Sequence, residues 1–392
     1  MTTTRKLVAL ILSISAVVGL TACATEEPPC CGDPCEPLPG LVLVVGVHQN
    51  QPAPDITPDI SCRLQETIKA GRPVGVVAVD GAPWPLVPTQ VFDVSGNNPA
   101  VIEGKVVAAY NLIVGSIQSA TPRTNGSDLV AGLNLAADAA ETATPEIEAL
   151  IVIDSAVPDL GAGAMTEPGM TLASPDEFAD HLQATGAFNA ATFEGRTVEF
   201  WSVGSTAAPQ DKFSQAEKDN ISLMWVIAVE RAGGAATAVP YPRDGEGPAT
   251  EFTTTPIAVH VDGPMDPAVG AAYSFDGASA LAFASNEPVL LDEPAARATL
   301  APMAEWLAAD TTRHATITGR TSSSNPAINA ELSAERAAVV GALLVELGAG
   351  GQQLTLIGAG YTAAPPDRDA AGALIIGAAA LNRVTEITLG QL

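Results

Sequence analysis

Two places in this chain hold residues whose types and spacing suit chemistry. The stretch GRTSSSNPAINAELSAERA, Gly319–Ala337, leads from a strand-like run through a polar loop to Asn329 and Arg336 in a helix-like run. Such a strand end suits a small charged group, because a guanidinium meets a carboxylate with two parallel N–H bonds. The second place is His48 and Asp154, each at the end of an apolar run. With a serine nearby they would form a nucleophilic group, which defines a hydrolase reading. None of the 4 histidines lies in an HExxH pattern, and the chain has no Gly-x-Ser-x-Gly elbow and no Gly-x-x-x-x-Gly-Lys loop. A non-catalytic binding protein is therefore the expectation, and it needs no cofactor.

The elements that must position these residues follow from hydrophobic patterning. LVLVVGV (41–47), PVGVVAVDG (73–81) and EALIVIDS (148–155) are continuous apolar runs, as strands buried on both faces show. RTVEFWSVG (196–204) is a more mixed run. Helix-like segments lie between them, at about Ile60–Ala70, Ser127–Glu141, Pro175–Thr185 and Ser214–Ala232. This alternation predicts a doubly wound, mainly parallel sheet over 41–242. Residues 243–265 are rich in Pro, Gly and Thr and read as a linker, with room for one short strand around Ile257–Val261. Residues 266–392 read as a second domain, a mixed sheet with helices. Its expected strands are SALAFASN (279–286), HATITG (314–319), QLTLIGAG (353–360) and RVTEITL (383–389), and its expected helices are Glu293–Ala309 and Leu332–Leu347. The fold class is thus α/β followed by α+β, in two domains.

The first 22 residues read as a signal peptide rather than fold: Arg5 and Lys6, then the apolar run Leu7–Leu20, too short to span a membrane. Leu20-Thr21-Ala22-Cys23 resembles a bacterial lipobox, which implies lipidation of Cys23. Acyl chains, at about 0.8 kcal/mol per buried CH₂, would then hold the protein on a membrane. No other run is expected to be long and apolar enough to span one. Residues 23–40 read as a Pro- and Cys-rich tether. The formal charge of −26 argues against nucleic acid as a partner. Beyond Cys23 the cysteines are Cys30, Cys31, Cys35 and Cys62. Export permits disulfides, and a bridge from the Cys30–Cys35 cluster to Cys62 would staple the tether to the first domain. A zinc site is the rival, though Cys-Cys-x-x-x-Cys lacks the usual paired spacing.

Several spaced motifs then accumulate in the second domain: Gly319 and Thr321, Asn329, Leu332-Ser333-Ala334-Glu335-Arg336-Ala337, Gly358-Ala359-Gly360-Tyr361 and Asn382-Arg383. Over about 272–390 this pattern resembles the OmpA-like peptidoglycan-associated domain. The resemblance implies non-covalent binding of the diaminopimelate residue of the peptidoglycan stem peptide. That side chain ends in one ammonium and one carboxylate, so its site needs an acid and an arginine. The resemblance implies a pocket of Thr321, Ser322, Asn329, Arg336 and Arg383, with Arg336 for the carboxylate. The family's acid follows Gly-x-Thr directly, where this chain has Ser322. Losing a charge-assisted bond of roughly 1.5–3 kcal/mol weakens binding about tenfold to a hundredfold. Glu331, Glu335, Asp367 and Asp369 are the candidate substitutes, and the sequence does not place their carboxylates.

Residues 41–242 resemble a von Willebrand factor type A domain, in which three loops at the strand ends hold a divalent metal. Asn125-Gly126-Ser127 matches the second loop and Ile153-Asp154-Ser155 the third. Gly46-Val47-His48-Gln49-Asn50 stands where Asp-x-Ser-x-Ser belongs, so Gly46, His48, Asn50, Ser127 and Asp154 read as a degenerate site with no metal. The leading expectation is an exported, lipid-anchored envelope protein that touches peptidoglycan with one domain and an unidentified envelope protein with the other. The alternatives are a scaffold whose second domain no longer binds the wall and, third, the hydrolase.

Overall fold

In LVLVVG every residue is buried, and this run forms β1 (Leu41–Gly46), an inner strand of a six-stranded sheet. A computed structural model describes residues 35–391 except 261, 262, 264, 326, 363 and 364. Cys23, Cys30 and Cys31, with their expected lipidation and pairing, lie outside the described residues. The first sheet has the order β3-β2-β1-β4-β5-β6, with β2 (Val74–Val79), β3 (Trp84–Gln90), β4 (Ala149–Ile153), β5 (Thr197–Trp201) and β6 (Ala235–Val239). Neighbours are parallel except β3, which runs antiparallel along β2. Leu41, Leu43 and Val45 pack with α1 (Pro58–Lys69) and α2 (Pro99–Gln118). Val42 and Val44 face the other layer, made by α3 (Leu129–Thr142), α4 (Pro175–Ala184) and α5 (Gln215–Arg231). Alternate residues of one strand thus serve two cores, and this is why β1 is apolar throughout.

The second sheet has the order β7-β10-β8-β9, with β7 (Ala272–Phe275), β8 (Arg313–Thr321), β9 (Leu354–Tyr361) and β10 (Thr385–Gln391). It is mixed: β8 pairs parallel with β9 and antiparallel with β10. Ala315, Ile317 and Ile387 point into a core closed by α6 (Glu293–Ala308) and α7 (Asn329–Glu346). At Gly319 a Cβ would stand 2.1 Å from the Ser333 carbonyl, so glycine lets α7 lie directly on β8.

Two sequence expectations are corrected here. Ser279–Asn286 is not a strand; it turns back on itself, with a single bridge from Phe283 to Leu290. The edge strand is Ala272–Phe275 instead. Further, α2 is long and apolar enough to cross a membrane by length and composition, at a mean hydropathy of 1.4. Its Val106, Ile113 and Ile117 are buried on the sheet, while Val101, Val107 and Leu112 are exposed.

Cys35–Leu392 forms one compact unit, and the two sheets are fastened within it at several points. A short helix, α8 (Ile376–Leu381), sends Ile376 from the second lobe into the core of the first. Gly377 abuts the first lobe so closely that a Cβ there would meet the Pro168 carbonyl at 2.6 Å. Residues 243–260 run irregularly across the strand ends of the first lobe, with no strand at 257–260. Ile257 is buried there, and its N–H donates to Gln210 Oε1 at 2.6 Å. His260 Nδ1 then meets Asp276 Oδ2 at 2.9 Å, just after β7.

Cys35 and Cys62 form a disulfide across a sequence separation of 27, joining the start of the described chain to α1. Closing a loop of that length contributes about 3.5 kcal/mol by the chain-entropy account. Cys62→Ala is therefore expected to lower the urea midpoint of unfolding by that equivalent, and an unchanged midpoint would contradict it.

Candidate functional site

Thr321, Ser322, Asn329, Arg336 and Arg383 all line one cavity of about 440 Å³. The local fold accounts for the placement. Thr321 ends β8, Asn329 opens α7 with Arg336 about two turns further along it, and Arg383 stands just before β10. Ser333, between the two α7 residues, accepts from Gly360 N–H at 2.9 Å and so registers α7 on β9. Asn329 Nδ2 donates to the Ser322 carbonyl at 2.8 Å and fixes the loop over the helix start.

Arg336 is 7% exposed and, among the described residues, has no carboxylate on its guanidinium. Its Nε donates to the Glu287 carbonyl at 3.2 Å, and its Nη2 to the Ala284 carbonyl at 2.9 Å. The guanidinium also lies 5.1 Å from the Phe283 ring centroid. Phe283 and Ala284 belong to the run that sequence patterning reads as a strand, and Glu287 follows it directly. Burial pushes the Arg336 pKa down to about 10, with repulsion from Arg383 adding to it. It stays charged at neutral pH, as a desolvated cation whose partners are dipoles and a ring face. An entering carboxylate would find it preorganised and poorly neutralised.

The four substitute acids do not line this cavity. Glu331 and Glu335 are exposed, and Asp369 accepts the N–H groups of Ala371 and Ala373 in its own turn. Asp367 is buried and accepts Ser323 N–H at 2.7 Å, which braces the ligand loop from behind. Burial raises the Asp367 pKa, but the hydrogen bonds it accepts outweigh that and hold it below the usual carboxylate range.

Part of the cavity wall belongs to the first lobe. Leu172, Ser174, Asp176, Glu177 and Asn220 line it, from α4, α5 and the turn before α4. Glu177 Oε1 accepts from Arg383 Nη2, while Arg383 Nε donates to Ser322 Oγ at 3.1 Å. Glu177 thus sits one guanidinium away from Ser322. Nothing in the sequence flags it, since an acid in the first turn of a helix is ordinary.

At the carboxyl ends of the first sheet's strands, the three strand-end loops do converge. His48, Asn50, Ser127 and Asp154 are each 1% exposed, next to Gly46. Gly46 leaves room for a residue that sequence reasoning missed: a Cβ there would lie 2.2 Å from Gln51 Nε2. Gln51 Oε1 accepts Ser155 N–H at 2.8 Å. Asp154 Oδ1 accepts Ala156 N–H at 2.7 Å, and its Oδ2 faces His48 Nε2 at 3.2 Å. His48 Nδ1 meets Asn50 Oδ1. Both ring nitrogens are therefore taken, and among the described residues neither bonds a serine, the contact a nucleophilic group would use. Ser127 keeps a buried Oγ without a partner, and its N–H donates to Asp159 Oδ1 at 2.6 Å.

Burial alone would lower the pKa of His48, but Asp154, Asn50 and Asp159 outweigh it and leave the pKa raised. A raised folded-state pKa contributes stability below the unfolded value, about 6.5, that is lost as pH rises through the folded value. Thermal melts are expected to show a fall in stability above about pH 6.5 that is absent in His48→Gln. Equal pH dependence in both proteins would contradict the ion pair.

The second lobe therefore has a mixed sheet with a buried arginine at a helix start, facing a polar loop. Residues 282–373 match the OmpA family, so this lobe is an OmpA-like domain. A comparison with curated proteins found no match. Among solved structures, the chain is similar to the peptidoglycan-associated lipoprotein from Burkholderia pseudomallei. Identity is 24% over 30% of this chain and 88% of that one, with a TM-score of 0.24. It is similar to the periplasmic domain of Helicobacter pylori MotB, residues 78–256, at 18% identity over 32% and 79%, with a TM-score of 0.26. It is also similar to the conserved hypothetical protein BatB from Bacteroides thetaiotaomicron, at 10% identity over 52% and 90%, with a TM-score of 0.28.

Proposed function

We propose that this chain is an exported, lipid-anchored protein of the bacterial cell envelope that holds peptidoglycan non-covalently in its OmpA-like lobe. Arg336 carries this reading: it is a buried cation with no carboxylate partner among the described residues, on the wall of a cavity large enough for an amino-acid side chain. The ligand is the diaminopimelate of the stem peptide, whose distal carboxylate meets Arg336. Lipid on Cys23, read from the sequence alone, ties the protein to a membrane. The first lobe, read as von Willebrand A-like with its metal loops filled by Gln51 and His48, serves a protein partner rather than catalysis. The exposed Val101, Val107 and Leu112 of α2 give that lobe an apolar face.

Co-sedimentation of the full chain with purified sacculi tests the wall-binding part. Lysine-type sacculi lack the distal carboxylate, so retention on diaminopimelate-type sacculi is expected to be stronger by about tenfold or more, the worth of one charge-assisted bond. Equal retention on both, or none, would overturn the reading.

A further inference from the structure

The peptidoglycan reading leaves the ligand's ammonium without a partner in the OmpA-like lobe, because Ser322 brings no charge. We infer that Glu177, on α4 of the first lobe, is the acid that receives it, so that the binding site is completed across the two lobes. Three observations carry this. Glu177 lines the same cavity as Arg336 and is bound to Arg383, which also donates to Ser322 Oγ. Its second oxygen, Oε2, is buried with no hydrogen-bond donor among the described residues, and a buried carboxylate oxygen left so is a strong acceptor in need of a partner. The other acids on the cavity wall are committed elsewhere: Asp176 pairs with Arg231, and Asp276 with His260. Arg383 is the hinge of the arrangement. It holds Glu177 at the edge of the ligand loop and leaves Arg336 to the carboxylate. A lid that mimicked the ligand would instead place its acid on Arg336, which has none.

The inference rests on the peptidoglycan reading, and one titration separates the two. The full chain in detergent is titrated with a stem tripeptide ending in meso-diaminopimelate, and with its deamino counterpart ending in 2-aminopimelate. These peptides differ only in the distal ammonium. The wild-type chain is expected to prefer the first by about tenfold or more. Glu177→Gln is expected to erase that preference by weakening only the first peptide, while Glu177→Asp keeps part of it. Glu177→Gln with an undiminished preference overturns the inference, as does tighter binding of the first peptide, which would mark Glu177 as a lid. A wild-type chain that binds neither peptide overturns the peptidoglycan reading itself. A loss of both peptides in Glu177→Gln, together with no preference in Glu177→Asp, also counts against the inference.

Discussion

Arg336→Ala is expected to leave the full chain with about a tenth to a hundredth of its affinity for diaminopimelate-type sacculi, since the lost bond is a charge-assisted fork. The effect has two parts. The ligand carboxylate loses the one cation that the described cavity wall offers without an acid partner, and the Glu287 and Ala284 carbonyls lose their donor. Arg336→Lys separates them. It restores the charge but not the planar fork that reaches two carbonyls and a ring face, so intermediate retention is expected. Full retention by the alanine variant would show that the wall is held elsewhere.

The second large effect is expected at Gly377, far from any ligand atom. A side chain at Gly377 meets the Pro168 backbone, which cannot swing aside as a side chain tip can. Overpacking of this kind costs roughly 1–3 kcal/mol. Gly377→Val also lifts α8, and Ile376 then leaves the core of the first lobe, a loss of about 1.5–3 kcal/mol if it becomes fully exposed. The variant is expected to melt earlier, to be cleaved by protease around 243–270 and to bind the diaminopimelate tripeptide more weakly. That last loss follows because Glu177 departs with the first lobe. A variant as stable and protease-resistant as the wild type would show that this contact does not fasten the lobes.

How far the sequence reveals this arrangement depends on where each signal is stored. β1, β2 and β4 are legible because strands buried on both faces must be apolar at every position. β3 is hidden by Pro85 and Pro88, tolerated here because it is an edge strand. α2 is apolar on nearly all sides, so no stripe marks it as a surface helix. Ser279–Asn286 misleads because a short apolar run looks alike whether it extends or turns. The arginine half of the pocket is written locally, in Asn329 and Arg336 on one helix start. Its acid is not, since Glu177 and Arg383 are separated by 206 positions and meet only because α8 docks on the first lobe. Gln51 in the strand-end site is hidden for a similar reason: its role depends on the space left at Gly46.

The most direct measurement is a crystal structure of the full chain with the diaminopimelate stem tripeptide bound. The distal carboxylate is expected within hydrogen-bond distance of the Arg336 guanidinium, inside the cavity between the lobes. A tripeptide bound outside that cavity, with Arg336 still held only by the Glu287 and Ala284 carbonyls, would contradict the proposed wall-binding site.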